Sequence, residues 1–158
     1  MRKYSYLAVF EPNGSGGFGV YFPDLSGCVS FGNDFNHALK MAEEGLGFHI
    51  YTMEKDNHTK LLYVLRNFEN IRVICPKDIK NSIGVVSCLF DGYSSDNIGQ
   101  ILAERDIAIR TGLHCAPHAH KFLDTFPEGT VRFSVSYFND KSEFESLKKV
   151  LQYIADNS

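Results

Sequence analysis

The first stretch of the chain carries short runs of apolar residues broken by turn formers. Tyr4 to Phe10 alternates loosely and stops at Glu11-Pro12-Asn13-Gly14-Ser15-Gly16-Gly17. Glycines supply the positive φ that a tight turn needs, so this cluster reads as a turn. Phe18 to Phe22 is a second short strand, completing a hairpin. Pro23-Asp24-Leu25-Ser26-Gly27 interrupts it, and Cys28 to Phe31 gives a third strand. Asn33 or Asp34 can cap a helix by accepting from free backbone N–H groups. Along that helix Ala38, Met41, Ala42, Leu46 and Ile50 recur at helical spacing. Gly45 and Gly47 each weaken it by about 1 kcal/mol relative to Ala, and mark close packing or an early end.

The polar segment Asp56-Asn57-His58-Thr59 is the expected boundary between two small domains, residues 1–57 and 58–158. A short helix from about Lys60 to Asn67 and a strand from Ile71 to Cys75, ended by Pro76, should follow. Ile83, Val85, Cys88 and Phe90 form a largely buried strand. Ser94 or Ser95 can cap a helix carrying Ile98, Ile101 and Leu102, and Ile107 and Ile109 begin another short strand. Val131, Phe133, Val135 and Tyr137 alternate strictly with Thr130, Arg132, Ser134 and Ser136, giving a strand with one apolar and one polar face. Ser142 and Glu145 fit a capping box, and Phe144, Leu147, Val150, Leu151 and Ile154 put one apolar stripe on the last helix. The expected architecture is α+β: two small units, each with a mainly antiparallel sheet and helices on one face.

Composition narrows the function classes. The 158 residues suffice for one ordinary domain or two small ones, and a net charge of -3 gives no reason to expect a nucleic-acid surface. No apolar run approaches the roughly 20 residues needed to span a bilayer. Met1-Arg2-Lys3-Tyr4 leads directly into a strand-like pattern rather than an apolar signal core, so a cytoplasmic location is the default. Cys28, Cys75, Cys88 and Cys115 contain no CxxC pair, which argues against structural zinc, and Cys88 reads as a buried thiol. His114, Cys115, His118 and His120 are dense enough to raise a metal site as a minor alternative.

Two resemblances follow from particular phrases. Phe10-Glu11-Pro12, then Gly17 to Ser30 through Phe22-Pro23-Asp24-Leu25-Ser26-Gly27-Cys28, then Ala38 to Glu44, resemble the HicB antitoxin module over roughly residues 3 to 55. That resemblance implies a ββ(β)α sheet-plus-helix that binds and neutralises a toxin. The DNA-binding tail common in that family is not evident here. Ile83-Gly84-Val85-Val86-Ser87, Ile107 to Pro117 through Arg110-Thr111-Gly112-Leu113-His114-Cys115-Ala116-Pro117, and Gly129 to Ser134 with Tyr137-Phe138-Asn139 resemble the cysteine desulfurase group of class V aminotransferases. They stand in that family's order and at about its spacing. The helix around Ala38 to Ile50 can be claimed by either family.

The second resemblance assigns chemistry. In that family pyridoxal phosphate, an electron sink, is bound by a lysine of the large domain, after a Ser/Thr-rich strand. That context is not found here, and His120-Lys121 matches only as a dipeptide in the wrong place. No cofactor is therefore expected in this chain, nor desulfuration or transamination by it alone. The family's persulfide cysteine corresponds to Cys115. Its substrate-carboxylate arginine corresponds to Arg132, a planar two-pronged donor for a planar acceptor. Arg110 belongs to the same motif, and the two arginines with His114 would favour the thiolate. The loop from His118 to Glu128 should flex. The opposing reading is that Cys115 is an inherited loop thiol and Arg132 an ordinary exposed charge.

The leading expectation is a non-enzymatic binding protein that engages a toxin-like protein, a desulfurase-system component or a second copy of itself. The alternative is a persulfide-accepting or regulatory fragment of a desulfurase system acting through Cys115. A fusion or decay product that folds without a dedicated role is a third possibility.

Overall fold

In a computed structural model of the chain, the structure describes residues 5–74, 82 and 84–157. Cys75, Pro76 and Ile83 lie outside the described residues. The fold is α+β, with two antiparallel sheets and four helices among the described residues. The chain divides into two compact units, Met1–Thr52 and Met53–Ser158.

In the N-terminal unit, β1 (Val9–Pro12), β2 (Phe18–Tyr21) and β3 (Val29–Gly32) form an antiparallel meander. The Asn13 side chain closes the first turn, its Oδ1 accepting from the amides of Ser15 at 3.1 Å and Gly17 at 2.8 Å. Gly32 ends β3 where the backbone turns sharply into the helix, and a Cβ there would sit 2.1 Å from the Ala38 nitrogen. Asp34 is the residue that caps the helix, its Oδ1 accepting from the His37 amide at 2.9 Å. The buried face of this half of the helix is narrow, built on Ala38 and Ala42. Phe35 adds ring contacts to Phe10 and Phe18.

That helix, α1 (Phe35–Arg66), runs for 32 residues where two helices and a polar link were expected. Neither glycine stops it. A Cβ on Gly45 would make ordinary contact with Ser30, and one on Gly47 would meet open space. Within the polar segment, Asn57 turns inward and finds partners there. Asn57 and His58 are each only 3% exposed. Asn57 Nδ2 donates to the carbonyls of Ser136 and Asn139, both at 2.9 Å, and its Oδ1 accepts from Lys60 Nζ at 3.1 Å. The division between the units falls within α1, after Thr52.

In the C-terminal unit, β4 (Ile71–Ile74), β5 (Val85–Phe90), β6 (Arg110–Gly112) and β7 (Thr130–Ser134) form one antiparallel sheet in the order β4-β5-β7-β6. Alternation puts Val86, Cys88 and Phe90 of β5 and Val131 and Phe133 of β7 into a single core. Leu61, Leu62 and Leu65 of α1 join it, with Ile98 and Leu102 of α2 (Ser95–Ala103) and Leu147, Leu151 and Ile154 of α4 (Lys141–Asp156). Each such side chain contributes about 1.5–3 kcal/mol on leaving water. Burial pushes the Cys88 thiol up to about 12, which makes it an inert core group.

Local corrections all have hydrogen-bonding reasons. Ile107 and Ile109 precede β6, which begins at Arg110, and pack half-buried against the core from outside the ladder. The stretch from His118 is not a plain loop, because α3 (Pro117–Phe122) starts at Pro117, whose ring suits a first helical position. The capping box on α4 uses Asp140 and Glu143 rather than Ser142 and Glu145. Asp140 Oδ1 accepts from the amides of Ser142 and Glu143, and Glu143 Oε2 accepts from the Asp140 amide. The Ser142 hydroxyl, donating to Asp140 Oδ1 at 2.6 Å, and then the Glu143 and Ser142 amides hold the Asp140 carboxyl below its usual range. Thr130, expected on the polar face, is buried.

Replacing Asn57 by Ala strips two part-buried carbonyls of their donor. The substitution should destabilise the C-terminal unit by about 1–3 kcal/mol, read by urea unfolding, whereas Asn36→Ala at an exposed position should cost little.

Candidate functional site

The site is built on the short ladder between β6 and β7, whose register pairs Arg110 with Arg132, Thr111 with Val131, and Gly112 with Thr130. Two guanidinium-bearing residues thus stand directly opposite each other. Like charges so placed destabilise a strand pair unless an anion sits between them. Among the described residues the ion pairs are Lys40–Glu44 and Arg105–Glu104, so neither arginine has a carboxylate partner. Arg132 is half-buried, and its Nε is buried without a hydrogen-bond partner. The arrangement can take a planar anion by two-pronged donation.

The ladder is short because the chain is squeezed at its end. A Cβ on Gly129 would lie 2.1 Å from the Gly112 carbonyl carbon, so only glycine lets the two backbones pass. Gly112 (φ 93°) turns the chain out of β6 and into Leu113, His114 and Cys115. His114 (φ 48°) and Cys115 (φ 61°) are both left-handed, a conformation that costs a non-glycine residue about 1–2 kcal/mol. Cys115 is exposed.

His114 Nε2 is 3.2 Å from Thr130 Oγ1, while its Nδ1 is buried with no partner. Burial lowers the His114 pKa from the ordinary imidazole range. The charge of Arg132 adds to this, with smaller contributions from His120 and Arg110, against an opposing hydrogen bond to the Thr130 backbone. The ring is therefore neutral at neutral pH. It brings a hydrogen-bonding group to the turn, and Arg132 and Arg110 bear on it as nearby charges.

Beyond Cys115 the chain folds back on itself. Ala116 N donates to the Leu113 carbonyl at 2.8 Å, and His120 N to the Ala116 carbonyl at 3.2 Å. His120 is buried, and its Nδ1 lies 2.7 Å from the hydroxyl of Thr125, also buried. Thr125 N donates to the His120 carbonyl at 2.9 Å, and Gly129 N to the Thr125 carbonyl at 2.6 Å. The rings of His114 and His120 are 6.0 Å apart. No group of three or more His, Cys, Asp or Glu among the described residues can hold a metal ion, so the His114, Cys115, His118 and His120 set is not assembled as one.

The sequence-expected residues Arg110, Arg132 and His114 thus converge through strand register and mutual charge, with Cys115 next to His114 on the turn. Thr130, Thr125 and the buried role of His120 were not foreseen. A threonine paired with a distant histidine leaves no periodic signal.

The sequence profile of the class-V aminotransferases matches residues 30–147, and the chain belongs to that family. The match takes in all of α1, including the helix that either resemblance could claim. A probable cysteine desulfurase of Aeropyrum pernix is 32% identical over 133 residues, 84% of this chain and 32% of the relative. A probable cysteine desulfurase of Vibrio cholerae is 23% identical over 89% of this chain and 33% of its own length. Among solved structures, the apo cysteine desulfurase of Thermococcus onnurineus superposes with a TM-score of 0.64 at 26% identity, covering 77% of this chain and 31% of that one. The chain thus spans about a third of the length of these curated relatives. The comparisons bring no support to the HicB-like resemblance.

The described residues do not make a pyridoxal phosphate site. A lysine that forms a Schiff base needs a dry pocket to stay unprotonated, and no lysine among the described residues is buried. Lys121 is exposed, its Nζ 5.1 Å from the Phe126 ring.

Two outcomes test this geometry. Gly129→Ala forces β6 away from β7 and should destabilise the C-terminal unit by about 1–3 kcal/mol in urea unfolding. In an NMR titration, His114 should protonate below the ordinary midpoint of about 6.5. Arg132→Gln should move that midpoint upward by removing a nearby charge. Because the folded state disfavours the protonated ring, this group's stabilisation is complete above the unfolded midpoint. It is lost as pH falls through the folded one.

Proposed function

We propose that the chain handles sulfur in a cysteine desulfurase system, accepting it on Cys115 from a persulfide carried by a protein partner. The observation that carries this reading is an exposed thiol on a left-handed turn, next to the unpaired Arg110–Arg132 ladder. The likeness to cysteine desulfurases supports it over a purely protein-binding role.

The step is a thiol exchange. The Cys115 thiolate attacks the outer sulfur of the partner's cysteine persulfide. A new S–S bond forms on Cys115, the partner's S–S bond breaks, and the partner leaves as a thiolate that takes up a proton. One sulfur atom moves without net oxidation. Arg132 and Arg110 would hold a carboxylate of the partner or of a bound cysteine. His114, neutral and tied to Thr130, would orient the turn rather than relay charge.

Incubating the chain with an active cysteine desulfurase and cysteine, followed by intact mass and peptide mapping, should find one added sulfur atom on Cys115. Cys115→Ser should take none. Equal sulfur uptake by wild type and Cys115→Ser, or none by either, would overturn the reading.

A further inference from the structure

We infer that the buried pair His120–Thr125 positions Cys115, holding its turn in the left-handed conformation. The inference rests on the sulfur-accepting role of Cys115 for its purpose, but its geometry stands on separate observations.

Two successive non-glycine residues with positive φ relax to ordinary backbone unless their surroundings over-determine them. His114 and Cys115 are such a pair. What over-determines them is a closed circuit of hydrogen bonds. On one side, His114 Nε2 meets the Thr130 hydroxyl at 3.2 Å, fastening the turn to β7. On the other side, Ala116 accepts from His120 N at 3.2 Å, and the His120 ring meets the Thr125 hydroxyl at 2.7 Å. Thr125 in turn accepts from Gly129 N at 2.6 Å, which returns the circuit to the residue before Thr130. His120 is 6% exposed and Thr125 5%, beneath a turn whose cysteine is exposed. A buried imidazole and a buried hydroxyl are costly to leave unpaired, so each fixes the other.

The circuit passes through Thr125 at both its side chain and its carbonyl. Thr125→Val keeps the size and the backbone bonds and removes only the hydroxyl. It leaves Nδ1 of His120 unpaired, so α3 and the turn before it lose one of their two anchors. Thr125 and His120 touch no reacting atom, and their role is to limit the directions in which Cys115 meets a donor persulfide.

The test combines amide exchange with sulfur uptake in Thr125→Val, His120→Gln and Thr125→Ser. In Thr125→Val and His120→Gln, the Ala116 amide should exchange about tenfold faster, with α4 amides such as Leu151 unchanged. Thr125→Ser, which restores the hydroxyl, should return to the wild-type rate. Sulfur uptake on Cys115 should fall about tenfold in the first two and recover in Thr125→Ser, as expected where orientation limits rate. Unchanged Ala116 exchange in both disruptive variants overturns the positioning role, whatever the sulfur result. Faster exchange with equal uptake in all four proteins overturns its link to reactivity. A wild-type chain that takes up no sulfur refutes the proposed function instead, while the exchange measurement still decides whether the pair holds the turn.

Discussion

The passage of Gly129 across Gly112 sets the geometry on which the site depends. No side chain fits between these backbones, because a Cβ on Gly129 would lie 2.1 Å from the Gly112 carbonyl carbon. That approach fixes the end of the β6–β7 ladder, and the ladder's register fixes Arg110 opposite Arg132. It also fixes where the chain must leave β6. Gly112 turns with positive φ, and His114 and Cys115 follow in the same left-handed region. The exposed cysteine is therefore a consequence of a backbone contact at the end of the β6–β7 ladder, not of a freely moving loop.

Electrostatics acts on this frame in one direction. Two arginines face each other with no carboxylate partner among the described residues, and the half-buried Arg132 cannot rely on water for its Nε. The same positive charge helps keep His114 unprotonated, together with burial of the ring. The site thus separates its roles. Permanent charge resides on the guanidinium groups, whose charge does not change with pH. The imidazole stays neutral and serves as a hydrogen-bonding tie to Thr130. An anion arriving here meets a charge that pH does not switch off.

Much of this fold was legible because its core elements obey simple periods. Val86, Cys88 and Phe90 alternate, and Leu147, Leu151 and Ile154 repeat along a helix, and all are buried. The motif residues of the site were legible as a resemblance, and strand register brings Arg110 and Arg132 together. What failed involved pairing of polar groups. Asp56-Asn57-His58-Thr59 looked like a solvated link because the sequence shows polarity but not its partner. The carbonyls that accept from Asn57, those of Ser136 and Asn139, lie far away in the chain. The stretch from His118 looked loose for a different reason, since the bond between His120 and Thr125 is local but lies off any apolar period. Long-range pairing of polar groups is invisible to a pattern of hydrophobic and polar positions.

The chemistry that this third of a desulfurase-like chain could carry divides along the same line. Breaking the carbon–sulfur bond of cysteine needs an electron sink, and that is the work of a cofactor held in a dry pocket. The described lysines are not buried and offer no such pocket. Passing an outer sulfur between two thiols needs no sink, because the bond made and the bond broken are both S–S. It needs an accessible thiol, a direction of approach and a way to hold the donor. Cys115 is exposed, its turn is fastened on both sides, and the paired arginines of the β6–β7 ladder bear on the adjoining His114. An exposed thiol, a fastened turn and paired arginines are features that thiol exchange uses, and they are the physical basis of the proposed sulfur acceptance.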